Sequence, residues 1–359
     1  MKALALVEAP DHVCCRYRIR PFQEALAVAG WSLAVEGLAR GGIARARQLR
    51  GARRFDAAIL QRKLLSGWEA EVLRRSSRRL VFDLDDAVFW RDSYHPRGQH
   101  SPSRWSRFAG IVRRADAVVA GNDFLAARAL MAGARPASVL RIPTCIDPAS
   151  YPTREHAPGE MVRLAWIGSS STMRGIEGRR SLWDRIAREV PGVTMRVICD
   201  RAPDLGAMPV EFVPWSEATE AEALAGSDLG VAWMPDDLWS RGKCGLKVIQ
   251  YLAAGLPVVA NPVGVHAEMV SHGRSGFLAG SDDQWLDAVS KLAADADLRR
   301  RMGRAARSRV DREFSVDRWA SRFVEAVTGA VQSPSARPHV GVAEGGGASR
   351  SGPVEGPRR

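Results

Sequence analysis

Short, unbroken apolar runs alternate with amphipathic stretches along the first 132 residues. The runs at 3–7 (Ala-Leu-Ala-Leu-Val), 56–60, 80–84 and 116–120 lack polar alternation, so each predicts a parallel strand covered on both faces. Between them, 20–29, 67–76, 103–115 and 122–132 predict helices. Asn122-Asp123 is a start signal, and Gly30 and Gly133 are stops. Four prolines in 143–160 break the pattern and predict a linker. A second series follows, with strands near 162–167, 194–199, 210–213, 228–233 and 257–260. Helices are expected near 178–189, 218–226 and 244–254, and 282–330 is helical throughout. From Ser333 onward, six Gly and four Pro in 27 residues predict a disordered tail.

Two consecutive βα series joined by one linker predict an α/β protein of two doubly wound, Rossmann-like domains with a cleft between them. The expected boundaries are 1–155, 156–332 and a tail at 333–359, with the last helix packing back on the first domain. Ligands in such folds bind beyond the carboxyl ends of the strands, which here is the cleft.

Charge refines this picture. The 359 residues carry 52 Lys+Arg against 40 Asp+Glu, a formal net charge of +12. Residues 1–160 hold 26 basic and 16 acidic residues, whereas 161–332 hold 22 of each, so the excess belongs to the first half. Such an excess suits nucleic acid, an anionic membrane or a phosphorylated ligand. Only five basic residues are Lys, and two of those, Lys243 and Lys247, stand four apart. Five cysteines without CxxC spacing argue against a disulfide framework or structural zinc. The N-terminus meets acidic residues and a proline too early for a signal peptide, and no run of about 18 apolar residues occurs. A cytoplasmic location is expected.

Chemistry concentrates in 241–278. A loop with Gly242 and Gly245 opens a helix, and Gly255-Leu-Pro closes it before a strand. Lys243, Lys247 and Gln250 then fall at i, i+4 and i+7, on one helical face. Glycines at the entry admit a ligand to the backbone, and the helix dipole with two ammonium groups favours phosphate. A neutral amide two turns in can hydrogen-bond sugar hydroxyls. A solvated Lys face is the competing reading of the spacing alone.

The stretch Gly245 to Leu278, with Ala-Ala-Gly-Leu-Pro-Val-Val-Ala at its centre, resembles the donor-site signature of GT-B-fold glycosyltransferases of family 4. Ile142-Pro…Ile146-Asp147 is similar to the end of that family's first domain, and the likeness runs from residue 1 to about 330. The resemblance implies a retaining transfer of sugar from a nucleotide diphosphate to a hydroxyl acceptor, without metal or cofactor. It implies donor contacts from Gly168, Thr172, Lys243, Lys247, Gln250 and Glu268, and from Arg16 across the cleft. The family's two Glu with seven residues between them fall here on Gly242 and Gln250; Asp236 or Asp237 is the expected stand-in for the first.

Leu80-Val-Phe-Asp-Leu-Asp-Asp places Asp83, Asp85 and Asp86 at a strand's end. In the family 4 frame, Asp83 and Asp85 are expected to face the acceptor. Read alone, the string also resembles the nucleophile motif of haloacid-dehalogenase-type phosphatases, and capping of loop amides is the structural alternative. A non-catalytic nucleotide-sugar-binding protein is a further alternative. His12 is either catalytic or solvated. Trp90, Trp105 and the arginines of 91–114 suggest a surface for anionic lipid, with a glycan or lipid-linked acceptor in the cleft at the inner face of the plasma membrane. No recognised nucleic-acid module is present, so no nucleic-acid partner is expected.

Overall fold

The computed structural model describes residues 1–330 apart from Arg154 and Glu160; the tail expected at 333–359 lies outside the described residues. The first half holds strands β1 (Lys2–Val7), β2 (Ser32–Gly37), β3 (Ala57–Gln61), β4 (Leu80–Leu84), β5 (Ala117–Ala120) and β6 (Val139–Arg141). Its helices are α1 (Val13–Arg18), α2 (Gln23–Val28), α3 (Gly42–Gly51), α4 (Gly67–Ser76), α5 (Pro102–Val112) and α6 (Asp123–Met131). All six strands are parallel, in the order β2-β1-β3-β4-β5-β6. The core strands β3, β4 and β5 are buried at every position, as unbroken apolar runs require.

The second half repeats the plan with β7 (Val162–Ile167), β8 (Val193–Cys199), β9 (Val210–Pro214), β10 (Leu229–Ala232), β11 (Val258–Ala260) and β12 (Gly276–Leu278). These form a second parallel sheet, ordered β12-β11-β10-β7-β8-β9. Its helices are α7 (Ser170–Glu177), α8 (Arg180–Glu189), α9 (Glu220–Ala225), α10 (Leu238–Arg241), α11 (Leu246–Ala253), α12 (His266–Met269), α13 (Asp282–Ala294), α14 (Ala296–Arg309) and α15 (Val316–Thr328). The direction of winding reverses between β1 and β3 in the first sheet and between β7 and β10 in the second. Those reversals open the crevices where ligands of such sheets sit.

Sheet alternation sorts the cores. Leu80, Phe82 and Leu84 join the layer under α4 and α5, while Val81 faces the opposite layer with Cys15, Ile19 and Phe22. α15 returns to that opposite layer: Phe323 stacks on Phe22 with centroids 4.3 Å apart, and Arg79 Nε donates to the Ala326 carbonyl at 2.9 Å. The chain therefore crosses between the halves twice, once through 142–161 and once through α15. No described helix is long and apolar enough to cross a membrane.

Two differences from the sequence reading matter. β2 was not foreseen, because its positions are half-exposed and Glu36 interrupts the apolar run. Residues 170–177, which precede the helix expected near 178–189, form α7, with Ser169 and Thr172 capping its start reciprocally.

Candidate functional site

α11 begins at Leu246 because Gly245 holds a left-handed φ of 66°. Lys243 consequently lies in the preceding loop and does not share a helical face with Lys247 and Gln250. The three side chains go to three places.

Lys247 points back to the end of β7. Its Nζ lies 4.0 Å from the Trp166 ring centroid and donates to Thr172 Oγ1 at 3.1 Å. A methyl group on Gly168 would stand 2.6 Å from that nitrogen and 2.6 Å from Trp166 Cη2, so glycine makes the approach possible. Burial, with Lys243 nearby, lowers the Lys247 ammonium to about 7. The adjacent His266 is buried, its Nδ1 faces the Asn261 carbonyl at 3.2 Å, and burial lowers it to about 4, so it stays neutral. Gly168, Thr172 and Lys247 thus converge at the second sheet's winding reversal, next to the start of α7. The Asp200 carboxylate accepts from Ser170 N at 2.6 Å and from Ser170 Oγ at 2.7 Å, and these bonds hold it at about 2.

Lys243 faces the first half. Its Nζ lies 5.5 Å from the Trp239 ring, its carbonyl accepts from Asn122 Nδ2 at 2.9 Å, and its charge acts on Asp86. Gly242 beside it touches Ala87: a Cβ there would lie 2.5 Å from Ala87 Cβ and 2.9 Å from its amide nitrogen. No glutamate fits at 242 in this arrangement. Of the expected stand-ins, Asp236 pairs with Arg241 at 2.9 Å and Asp237 caps α10 through Ser240 N at 2.8 Å.

Gln250 is 3% exposed and donates to the hydroxyls of Tyr17 and Tyr151, each at 3.1 Å. Tyr17 in turn donates to Glu220 at 2.7 Å, and Trp215 Nε1 donates to the same carboxylate at 2.7 Å. Arg16 pairs with Glu220 and, at 3.4 Å, with Glu217, instead of offering a free fork to phosphate. Arg16 and Gln250 therefore belong to a polar network joining α1, the linker, α9 and α11. Glu268 lies apart, half-exposed, on Arg141 at 2.8 Å. It borders a groove lined by Asn122, Phe124, Asp236 and Arg241.

Asp83 needs a correction. The alternation of β4 turns it toward α1, where it is fully buried against Arg18 Nη2 at 2.6 Å; Arg18 also donates to the Ile142 carbonyl at 2.7 Å. Burial raises this carboxyl against the pull of Arg18. It reaches neither an acceptor nor a phosphate, which removes the nucleophile from the phosphatase reading. Asp85 and Asp86 instead pair with Arg62: Nε stands 3.6 Å from Asp85 Oδ1 and Nη2 stands 3.2 Å from Asp86 Oδ2. His12 caps α1 by accepting from Cys14 N at 3.2 Å.

Trp90 and Trp105 do not form a surface patch either. Trp90 is buried and Trp105 packs on Phe89 and Phe108, while Arg91 and Arg104 donate to loop carbonyls. Arg62, Trp166 and the Tyr17–Tyr151–Glu220 network were not identified from sequence. The basic Arg62-Lys63 pair directly after the 56–60 run was the available signal for the first.

Residues 165–295 match the family model described as glycosyl transferases group 1. The chain has a GT-B fold, and its second half is similar to group 1 glycosyltransferases. Among curated proteins it is 33% identical over 144 residues to D-inositol 3-phosphate glycosyltransferase of Gordonia bronchialis, covering 39% of this chain and 30% of that one. It is 31% identical over 105 residues to N-acetyl-alpha-D-glucosaminyl L-malate synthase of Bacillus anthracis, covering 29% and 26%. The matched stretch is thus less than a third of either relative. Among solved structures, Anabaena HepE in complex with UDP and glucose superposes with a TM-score of 0.67 at 18% identity, covering 92% of this chain and all of that one. Sucrose-phosphate synthase from Thermosynechococcus elongatus gives 0.70 at 16% identity, covering 90% and 96%. Both show the fold.

The placement of Asp83 is open to test by unfolding. Asp83→Asn leaves Arg18 buried without its counter-charge and is expected to cost about 3–5 kcal/mol in urea denaturation. Unchanged stability would contradict the buried pair.

Proposed function

We propose that the protein transfers a sugar from a UDP-sugar to a hydroxyl acceptor, with retention of configuration and without a metal. The observation that carries this reading is the seating of Lys247 against Gly168, Trp166 and Thr172 at the winding reversal of the group 1 domain. A poorly solvated ammonium with one hydroxyl partner, beside the start of α7, is suited to a diphosphate. It would stabilise the charge that develops as the glycosidic bond to phosphate breaks, and Lys243 would add a second cation from the loop. UDP is favoured as the nucleotide because the HepE complex holds UDP. The acceptor would enter on the Asp85–Asp86 side. Gln250 would meet ribose only when the tyrosine hydroxyls release it, and Arg16 would meet the donor only when Glu220 does. Domain opening and closure would therefore accompany turnover.

The acceptor would be glycan or lipid-linked, and an anionic membrane the docking surface. With Trp90 buried and Trp105 packed on Phe89 and Phe108, the face that supports this lies on α3 and the start of α4. Residues 37–55 hold six arginines and no acidic residue, of which Arg40, Arg47, Arg50, Arg53 and Arg54 are exposed. Ile43 and Trp68 stand 72% and 54% exposed at the starts of the two helices. Exposed apolar tips ringed by arginine suit an anionic lipid interface.

Two measurements test this. UDP should raise the melting temperature of the wild type and do so much less for Lys247→Met. Lys247 is charged below about 7 and loses its proton above it, so UDP affinity should fall by roughly tenfold between pH 7 and 8.5 in the wild type alone. No stabilisation by UDP at pH 6 would end the donor reading. Sedimentation with vesicles containing phosphatidylglycerol should retain the wild type at low salt and lose Arg47→Glu/Arg50→Glu; equal retention of both would end the membrane assignment.

A further inference from the structure

Arg62 is the one non-glycine residue with positive φ among the described residues, at 46°. That conformation brings Cβ close to the following carbonyl and is normally left to glycine or asparagine. The strain falls immediately after β3, at the winding reversal of the first sheet. The Arg62 amide is fixed there by donating to the Asp83 carbonyl at 2.8 Å. Nothing in the backbone calls for arginine at this position, where glycine would be unstrained. Its side chain is what the position retains.

That side chain lies among three groups. Nε stands 3.6 Å from Asp85 Oδ1, Nη2 stands 3.2 Å from Asp86 Oδ2, and Nη1 donates to the Cys14 thiol. The Asp85 side chain is 8% exposed, and its Oδ1 has no hydrogen-bond partner. Burial works to raise this carboxyl, while Arg62 and Arg18 outweigh it and leave it below the ordinary aspartate value. Asp86 is also buried but raised, between Arg62 and Lys243. Arg62, with Arg18, thus keeps one of two adjacent carboxyls charged, and one buried oxygen of that carboxyl has no hydrogen-bond partner.

We infer that Arg62 is a positioning residue that holds Asp85 as a charged hydrogen-bond acceptor for a hydroxyl of a sugar or polyol entering on the first-half side of the cleft. The inference rests on the transferase reading for its consequence, though not for its geometry. The entering hydroxyl would donate to the Asp85 carboxylate, and Arg62 fixes both the orientation of that carboxylate and its charge. Asp86 and Lys243 close the far side. A hydroxyl held in this way keeps its proton until transfer, so the interaction aligns its oxygen and does not itself break a bond.

The test uses the full chain with Arg62→Lys, Arg62→Gly and Arg62→Gly/Asp85→Asn. Carbon-13 titration of the Asp85 carboxyl needs no activity. Its pKa should rise above the ordinary aspartate value in Arg62→Gly, where burial, Asp83 and Asp86 are opposed only by Arg18 and by hydrogen bonds from the Cys14 thiol and the backbone, and rise much less in Arg62→Lys. An unmoved titration overturns the inference. Transfer from UDP-glucose to a mixture of free monosaccharides and glycerol should fall by roughly 100-fold in Arg62→Gly, with its acid limb moved to higher pH. Arg62→Lys should recover part of the rate. In the double variant, thermal stability should return toward wild type while transfer stays low. Recovery of transfer together with stability would reduce Arg62 to a structural residue and overturn the inference. UDP-induced stabilisation should persist in every variant. Its absence from the wild type itself would strike the donor reading, while the Asp85 titration would still decide the role of Arg62.

Discussion

The two halves meet where no side chain can stand. Gly242 presses its backbone on Ala87, and the loop around it sets the rest of the cleft. Cys244, two residues on, joins the apolar layer of the first half, alongside Leu238 and Trp239. Between them Lys243 is left facing Asp86. Gly245 then turns the chain into α11, which delivers Lys247 to the second sheet. The six residues 242–247 thus contact both halves and send one cation to each. A side chain at 242 would place its Cβ in the volume of Ala87, so the contact between the halves requires glycine there.

Charge in the cleft is arranged by burial more than by number. The first half owns the net excess of arginine, yet its cleft-side arginines are committed: Arg18 to Asp83, Arg62 to Asp85 and Asp86, Arg16 to Glu217 and Glu220. Buried pairs of this kind fix position because breaking either partner strands the other. The uncommitted excess lies on α3 and the turn after it, away from these pairs. Lys247 is the exception on the second side, held by a ring and a hydroxyl with no carboxylate partner in contact. Its depressed pKa follows from that poverty of partners.

Parallel strands were legible because burial on both faces writes itself as an unbroken apolar run, as in 56–60 and 80–84. β2 was not, since half-exposed positions such as Glu36 erase the run, and β6 and β12 are three residues long. The direction of Asp83 follows from strand alternation once β4 is placed, but which layer holds a compensating arginine depends on tertiary packing. Lys243 and Lys247 were singled out in the sequence by their spacing in a chain with only five lysines. Their divergence was not legible, because one left-handed glycine at 245 decides where the helix begins. Gln250 and Arg16 were read as free donors. The network that occupies them needs Tyr17, Tyr151 and Glu220, up to 233 residues away in the chain. The strain at Arg62 leaves no mark in sequence at all.

In the proposed reaction the diphosphate of a nucleotide sugar seats on Lys247 at the end of β7. A diffraction structure of the full chain with UDP tests this seating. The terminal phosphate is expected within hydrogen-bond distance of Lys247 Nζ, over Gly168 and next to Thr172. A diphosphate bound instead in the groove beside Arg241 and Glu268, with Lys247 still on Thr172, would contradict it.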